Sequence, residues 1–384
     1  MKKQLIFLKG LRFIMVVICA VSLSESLTAI DTEKDPAGLT TGKEIYMAAC
    51  ANCHGADGRG VSASILGFDQ ALPDFTDCRF AQREPDGDWV IVAGQGGPVR
   101  GFSRLMPAFG KVLSEVQLHK AVQYIRIFCS DKKWPRGDLN LPKPLVTEKG
   151  FPEDELIVST TVDTKTSNIS NKIVYEKRIG ALNQVEVVIP YGWDKTTEVM
   201  DSIEETQWSA NLGDLALGYK RVLLHNFKSG SVLSVFGELI CPTGDRFDGF
   251  GKGTFIFEPF LAYSQVLPAG FFLHSQAGIE LPFDTARSER EGFLRLALGR
   301  SFNFVSYGRT WSPMVELLAK RELASGEKIL CDILPQIQIT LNQRQHIMFN
   351  VGVRIPLNET EGRNMAVMAY ILWDWFDGGF FEGW

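Results

Sequence analysis

The sequence predicts a multidomain chain, with an all-α domain followed by an antiparallel β-barrel of about twelve strands. Three observations carry this expectation. Apolar residues recur at helical spacing around residues 42–50 and 118–128, a proline-rich stretch follows, and beyond about residue 155 the apolar period changes from helical to two. The length, 384 residues, leaves room for both parts, and 45% hydrophobic with 22% charged residues is ordinary for folded protein. A net charge of -5 leaves no dominant basic face, which excludes a nucleic-acid partner.

Lys2, Lys3, Lys9 and Arg12 precede or flank an apolar run from Leu11 to Leu23, and small residues follow at Ser22, Ser24 and Ala29. Residues 1–29 therefore read as a signal peptide, because the run is shorter than a spanning helix needs. Cys19 does not make a lipoprotein site, since Ile18 before it is too bulky. Export would place the remaining cysteines in an oxidising compartment.

Residues 36–135 are expected to form the helical domain. Thr41-Gly42-Lys43-Glu44 has capping-box spacing, so a helix should start near Gly42 and run through Ile45 and Met47 into Cys50. Cys50-Ala51-Asn52-Cys53-His54 is a CxxCH run: each thiol can form a thioether to one vinyl group of a porphyrin, and the histidine is then held beneath the iron. A zinc site would want a second CxxC, which the chain lacks, and a thioredoxin-like dithiol would follow a strand rather than a helix. Gly55, Gly58 and Gly60 then break the helix and let backbone approach a flat ligand. A second capping box at Ser114-Glu115-Val116-Gln117 opens a helix whose stripe of Leu118, Ala121, Val122, Ile125 and Phe128 should pack on the first. Between them Leu105-Met106-Pro107 offers a thioether, a soft sixth ligand that raises the reduction potential. Met47 competes poorly from the attachment helix, and His119 shares a polar face with Lys120 and Gln123. Cys78 and Cys129 fall inside this domain and are expected to pair, although spacing alone does not give the Cα separation that decides it. Cys241 and Cys331 read as packing residues.

Cys50-Ala51-Asn52-Cys53-His54-Gly55, Met106-Pro107 and the helix around Tyr124-Ile125 together resemble a class I (mono-haem) cytochrome c domain. The resemblance covers about a quarter of the chain. It implies one covalent haem c, an iron ligated by His54 and Met106, and electron carriage rather than bond-making.

Residues 136–154, with Pro142, Pro144 and Pro152 among charged residues and no apolar periodicity, read as a semi-extended tether that lets the two parts move. In residues 155–384 the alternation is regular. Phe271, Leu273, Ala277, Ile279 and Leu281 share one face against Phe272, His274, Gln276, Gly278 and Glu280. Likewise Ile347, Phe349, Val351, Val353 and Ile355 oppose Met348, Asn350, Gly352 and Arg354. A soluble barrel would point the apolar set inward and an outer-membrane barrel outward. The polar face mixes small residues with charges of both signs (Lys220, Glu258, Arg295, Glu316), which fits a narrow wet lumen. Tyr191, Trp193, Trp311, Trp373 and Trp375 read as interface girdles, and Trp384 is similar to the terminal aromatic of outer-membrane barrels. His225, His274 and His346 lack metal spacing and read as lumen or turn residues. Asn211-Leu212-Gly213-Asp214-Leu215 and Pro242-Thr243-Gly244-Asp245 resemble the transporter-like outer-membrane family of phenol-degradation pathways, which implies a conduit for small apolar solutes.

The function expected is a non-enzymatic electron carrier of the periplasm, tethered to the outer membrane by its own barrel and serving redox protein partners. The alternatives are a channel for small apolar molecules with an accessory haem domain, and a fused cytochrome-porin conducting electrons across the membrane. A domain of this size has a radius of gyration near ~13 Å, and wide lumens need about 16–18 strands. The helical domain should therefore sit at the barrel mouth.

Overall fold

The computed structural model describes residues 38–67, 72–200, 203–304 and 307–374, with backbone alone at 195–200 and 203–207. The expected leader, the girdle residue Trp375 and the terminal Trp384 lie outside the described residues.

The first part holds six short α-helices: α1 (Gly42–Ala49), α2 (Ala51–His54), α3 (Ala63–Leu66), α4 (Cys78–Ala81), α5 (Asp86–Gln95) and α6 (Glu115–Ile125). Both expected capping boxes form, Thr41 with Glu44 and Ser114 with Gln117, each satisfying amides that a helix start leaves free. α1 crosses α6 so closely that a Cβ on Gly42 would stand 2.2 Å from the Lys120 carbonyl oxygen. The seam is filled by Ile45 with Leu118, Ala121 and Val122. Cys78 and Cys129 are joined as a disulfide, with Cα atoms 5.0 Å apart.

The second part is a closed antiparallel barrel. Its strands are β1 (Glu155–Asp163), β2 (Ile169–Ile179), β3 (Asn183–Met200), β4 (Ile203–Leu212), β5 (Ala216–Asn226), β6 (Ser231–Ile240), β7 (Ile256–Val266), β8 (Phe271–Pro282), β9 (Glu291–Arg300), β10 (Phe302–Asn303), β11 (Thr310–Glu322), β12 (Leu330–Thr340), β13 (Ile347–Pro356) and β14 (Ala366–Asp374). β14 pairs with β1, and β9 pairs with β11, so the ring of strands closes on itself. β4 lies off the ring, pairing with the outer half of β3 and leading into β5, and β10 is a two-residue ladder beside β11; twelve strands make the wall.

The wall is inside-out relative to a soluble protein. Leu294 and Leu298 are 49% and 51% exposed, whereas Ala297 between them is fully buried. Leu217, Leu261, Leu317 and Ile371 likewise face outward, and Lys220, Gln276, Glu316 and Asn350 face inward and are buried. The strand faces read from the sequence are therefore the faces observed, with the apolar set outside.

The proline-rich stretch departs from expectation: it is not a solvated tether but enters the lumen and is bonded to the wall. Val146 N, Thr147 N and Thr147 Oγ1 donate to the Glu316 carboxyl at 3.1, 2.7 and 2.5 Å. Leu145 N donates to Gln336, Glu148 N to Gln276, and Gly150 N to Ser264. Asn350 and Tyr370 donate to the Lys143 carbonyl, and Lys220 donates to that of Phe151. Charge is balanced locally, Lys143 against Glu148 and Lys149 against Glu153 and Glu155. The reason is that backbone in a narrow polar lumen can be satisfied by wall side chains, so an aperiodic segment acquires a fixed path.

Candidate haem site

The site is built where α2 ends. Gly60 N and Val61 N fold back onto the carbonyls of His54 and Cys53 at 2.9 and 2.8 Å, and Tyr46 Oη donates to Gly55 O at 2.7 Å. Gly58 must be glycine: at φ +76° a Cβ would meet the Phe128 ring at 2.8 Å. The opposite wall is a loop held by Gly97 N on the Met106 carbonyl and by Gly110 N on that of Gly94.

Between these walls lies a cavity of about 570 Å³ lined by Cys50, Cys53, His54 and Met106, with Phe75, Trp89 and Leu118. That volume falls within the range of cofactor sites, about 300–1,000 Å³. The structure thus brings all four residues singled out from the sequence to one space. Met47 is 43% exposed and His119 lies on the outer face of α6 beside Glu115 at 3.9 Å, and neither lines the cavity. Phe75 stacks on His54, with ring centroids 4.9 Å apart. Arg59 is a surface residue near Asp57 and Asp74.

The donor set fits a porphyrin iron. Burial lowers the His54 pKa and so keeps a neutral imidazole, and its Nδ1 is buried with no protein partner. Burial and the neighbouring Cys53 push the Cys50 thiol up to about 11, so it stays a neutral thiol rather than a solvated thiolate. The cavity lining is mostly apolar, which suits a flat macrocycle.

Two lining residues come from the barrel, in the turn at residues 341–346 between β12 and β13: His346, expected as a lumen or turn residue, and Arg344, which carries no sequence signal. His346 Nε2 meets Glu84 at 3.2 Å. Glu84 is half-buried, and against the cost of burial its contact with His346 and the nearby Arg126 and Arg83 guanidinium groups hold its carboxyl below the usual range. Burial and the Glu84 charge push the Asp88 carboxyl up, against the pull of Arg100, which bonds it at 2.8 and 3.0 Å. The helical part is fastened to this barrel end by further contacts: Arg83 with Asp154, Arg100 and Gln95 with Tyr307, and Gln343 with the Pro98 carbonyl.

Comparison with known proteins agrees with the first part. The profile of cytochrome c oxidase, cbb3-type, subunit III matches residues 37–125. Cytochrome c6 of a Synechococcus species is 28% identical over 120 residues, covering 31% of this chain and 96% of that protein. The N-terminal part is a cytochrome c-type domain, a class that implies a haem cofactor and redox partners. Among solved structures, a COG4313 outer membrane channel from Pseudomonas putida F1 has a TM-score of 0.42 at 12% identity, covering 61% of this chain and 99% of that one. The KdgM porin has a TM-score of 0.37 at 7% identity, covering 57% and 98%. The apolar exterior and charged lumen are what make this wall an outer-membrane barrel, and the chain is an exported protein of the outer membrane and periplasm.

Proposed function

We propose that the chain is an electron carrier with one haem attached covalently through Cys50 and Cys53 and ligated by His54 and Met106, held at the periplasmic mouth of its own outer-membrane barrel. The domain limits this implies are residues 36–135 for the carrier and 155–384 for the barrel. The observation that carries the reading is the single cavity on which both thiols, a neutral imidazole and a thioether converge. When bound, the haem iron supplies a one-electron couple. The protein's part is to orient and to shield. Tyr46 and the glycine turn hold His54 in place, the 94–110 loop presents Met106, and the Phe75, Trp89 and Leu118 surfaces keep water away.

The mouth is assigned from the chain path. The barrel's short turns at residues 180–182, 227–230, 267–270 and 341–346 lie at the end where β1 begins, and longer connections such as 241–255 lie at the other. Outer-membrane barrels keep short turns on the periplasmic side, the side on which a carrier meets soluble partners. A conduit for small apolar solutes fits less well, because the 139–154 segment occupies the lumen and the wall there is polar.

The test is expression in a host that matures c-type cytochromes, followed by membrane fractionation and haem staining after denaturing electrophoresis. Haem is expected to stay with the polypeptide in the outer-membrane fraction, and to be lost from the Cys50→Ala/Cys53→Ala double variant. In Met106→Ala the weak thioether-to-iron absorption should vanish while haem stays bound. A purified chain without bound porphyrin would end the proposal, and steady solute flux through the full chain in planar bilayers would favour the channel.

A further inference from the structure

We propose that the haem site is shared between the two parts, with Arg344 of the barrel holding the carboxylate side arms of the porphyrin and so setting its potential. The inference rests on the haem reading above and goes beyond it. A porphyrin tied down through its vinyl groups at Cys50 and Cys53 still carries its carboxylates elsewhere on the ring, and in a largely apolar cavity these need a cation.

The other charged groups of the cavity wall already have partners, Asp77 among them as the acceptor for Arg79 N. Arg100 spends its guanidinium on Asp88 and the Tyr307 carbonyl. His346 faces Glu84, and Asp74 accepts from Thr76. Arg344 differs: its Nε is buried without a hydrogen-bond partner, and its guanidinium lies 4.8 Å over the Phe102 ring, another residue of the cavity wall. A buried donor left unmade costs about 1–3 kcal/mol, and the forked guanidinium matches a carboxylate bidentately. Gly101 belongs to the same arrangement, since a Cβ there would reach to 3.7 Å from Arg344 Nε.

Two consequences follow. A cation near the iron favours the ferrous state, which bears one less positive charge, so the barrel turn raises the potential of a cofactor bound to a different domain. The bound cofactor in turn adds an ion pair to the seat of the domain on the barrel.

The experiment uses the full-length holoprotein in detergent, comparing wild type with Arg344→Gln, Arg344→Lys and Lys328→Gln. Lys328 is an exposed cation paired with Glu359 at the opposite end of the barrel and controls for net charge. Haem content by alkaline pyridine spectrum should be equal in all four. Potentiometric titration should show the ferric-to-ferrous ratio of Arg344→Gln raised about tenfold at a fixed ambient potential, a downward shift of about 59 mV. Arg344→Lys should keep most of the wild-type value, and Lys328→Gln all of it. Haem-loaded Arg344→Gln with the wild-type potential, or a shift equalled by Lys328→Gln, would overturn the inference and leave the carrier reading standing. A wild type with no haem would overturn both.

Discussion

Replacing Glu316 by alanine should loosen the lumen segment without unfolding the barrel. The Glu316 carboxyl is fully buried and accepts from Val146 N, Thr147 N and Thr147 Oγ1 on the segment, and from Gln336 Nε2 at 2.6 Å on the neighbouring strand. Hydrogen bonds to a charged group contribute about 1.5–3 kcal/mol each. Losing the three segment bonds would cost about 4–5 kcal/mol at the lower figure, and water entering the vacated space restores part of it. A net loss of about 3 kcal/mol corresponds to a factor of about 10² in the local opening equilibrium. Hydrogen exchange of the full chain in detergent micelles reads this directly, because the Thr147 amide is released only when the segment lifts from the wall. Its exchange should quicken about a hundredfold in Glu316→Ala and by less in Glu316→Gln, which keeps one acceptor oxygen, while amides in β6 and β7 stay as protected as in wild type. Unchanged Thr147 exchange in Glu316→Ala would refute the idea that this carboxyl anchors the segment.

Three further outcomes follow from the same structure. Cys78→Ser/Cys129→Ser should lower the stability of the cytochrome part by about 2–4 kcal/mol in chemical denaturation, since the bridge closes a loop of sequence separation 51. In the first capping box, hydrogen bonds from the Thr41 amide and hydroxyl hold Glu44 below its ordinary value of 4.5; its contribution is present above the unfolded value and lost as pH falls through the folded one, so Glu44→Gln should flatten the acid limb of thermal stability below about pH 4.5. Leu296→Arg, outward-facing in mid-strand beside Leu317, should cost about 2–4 kcal/mol in refolding into lipid vesicles, whereas an unaffected variant would mean that this face meets water.

How much could be read beforehand depended on whether a residue's surroundings are set by near neighbours or distant ones. Strand faces were legible because in a barrel wall the alternation lipid, lumen, lipid constrains each position by its parity; Ile347 to Ile355 outward and Asn350 inward is a local pattern. That Cys50, Cys53, His54 and Met106 would meet at one cavity was legible because the first three stand at the fixed spacing of a CxxCH run and the fourth is a thioether on a proline-stiffened loop, an unusual combination. The lumen segment was not legible. The acceptors of its Leu145, Val146 and Glu148 amides lie more than a hundred residues downstream, and its prolines, which signalled a tether, here reduce the amide donors that the lumen must satisfy. Arg344 and His346 sit in a polar stretch, Asn342 to His346, that is indistinguishable by sequence from a solvated hairpin turn, and only the docked domain makes them part of a cavity wall.

The chain path also bears on whether carriage and conduction can coexist. The segment inside the lumen is the covalent link between the two parts, and it is clamped at both ends: Arg136 and Arg126 engage Asp86 where it leaves the cytochrome part, and Arg83 engages Asp154 where it enters β1. At Gly137 the approach is so close that a Cβ would collide with the Arg83 carbonyl at 1.9 Å. Withdrawing the segment would therefore mean breaking the contacts that seat the domain on the mouth, and a seated domain keeps the segment in. Conduction through this lumen and a cytochrome part seated at its mouth belong to different states of the molecule, and the seated state is the one in which the buried Lys143, Lys149, Glu153 and Glu155 and the half-buried Glu148 have their partners.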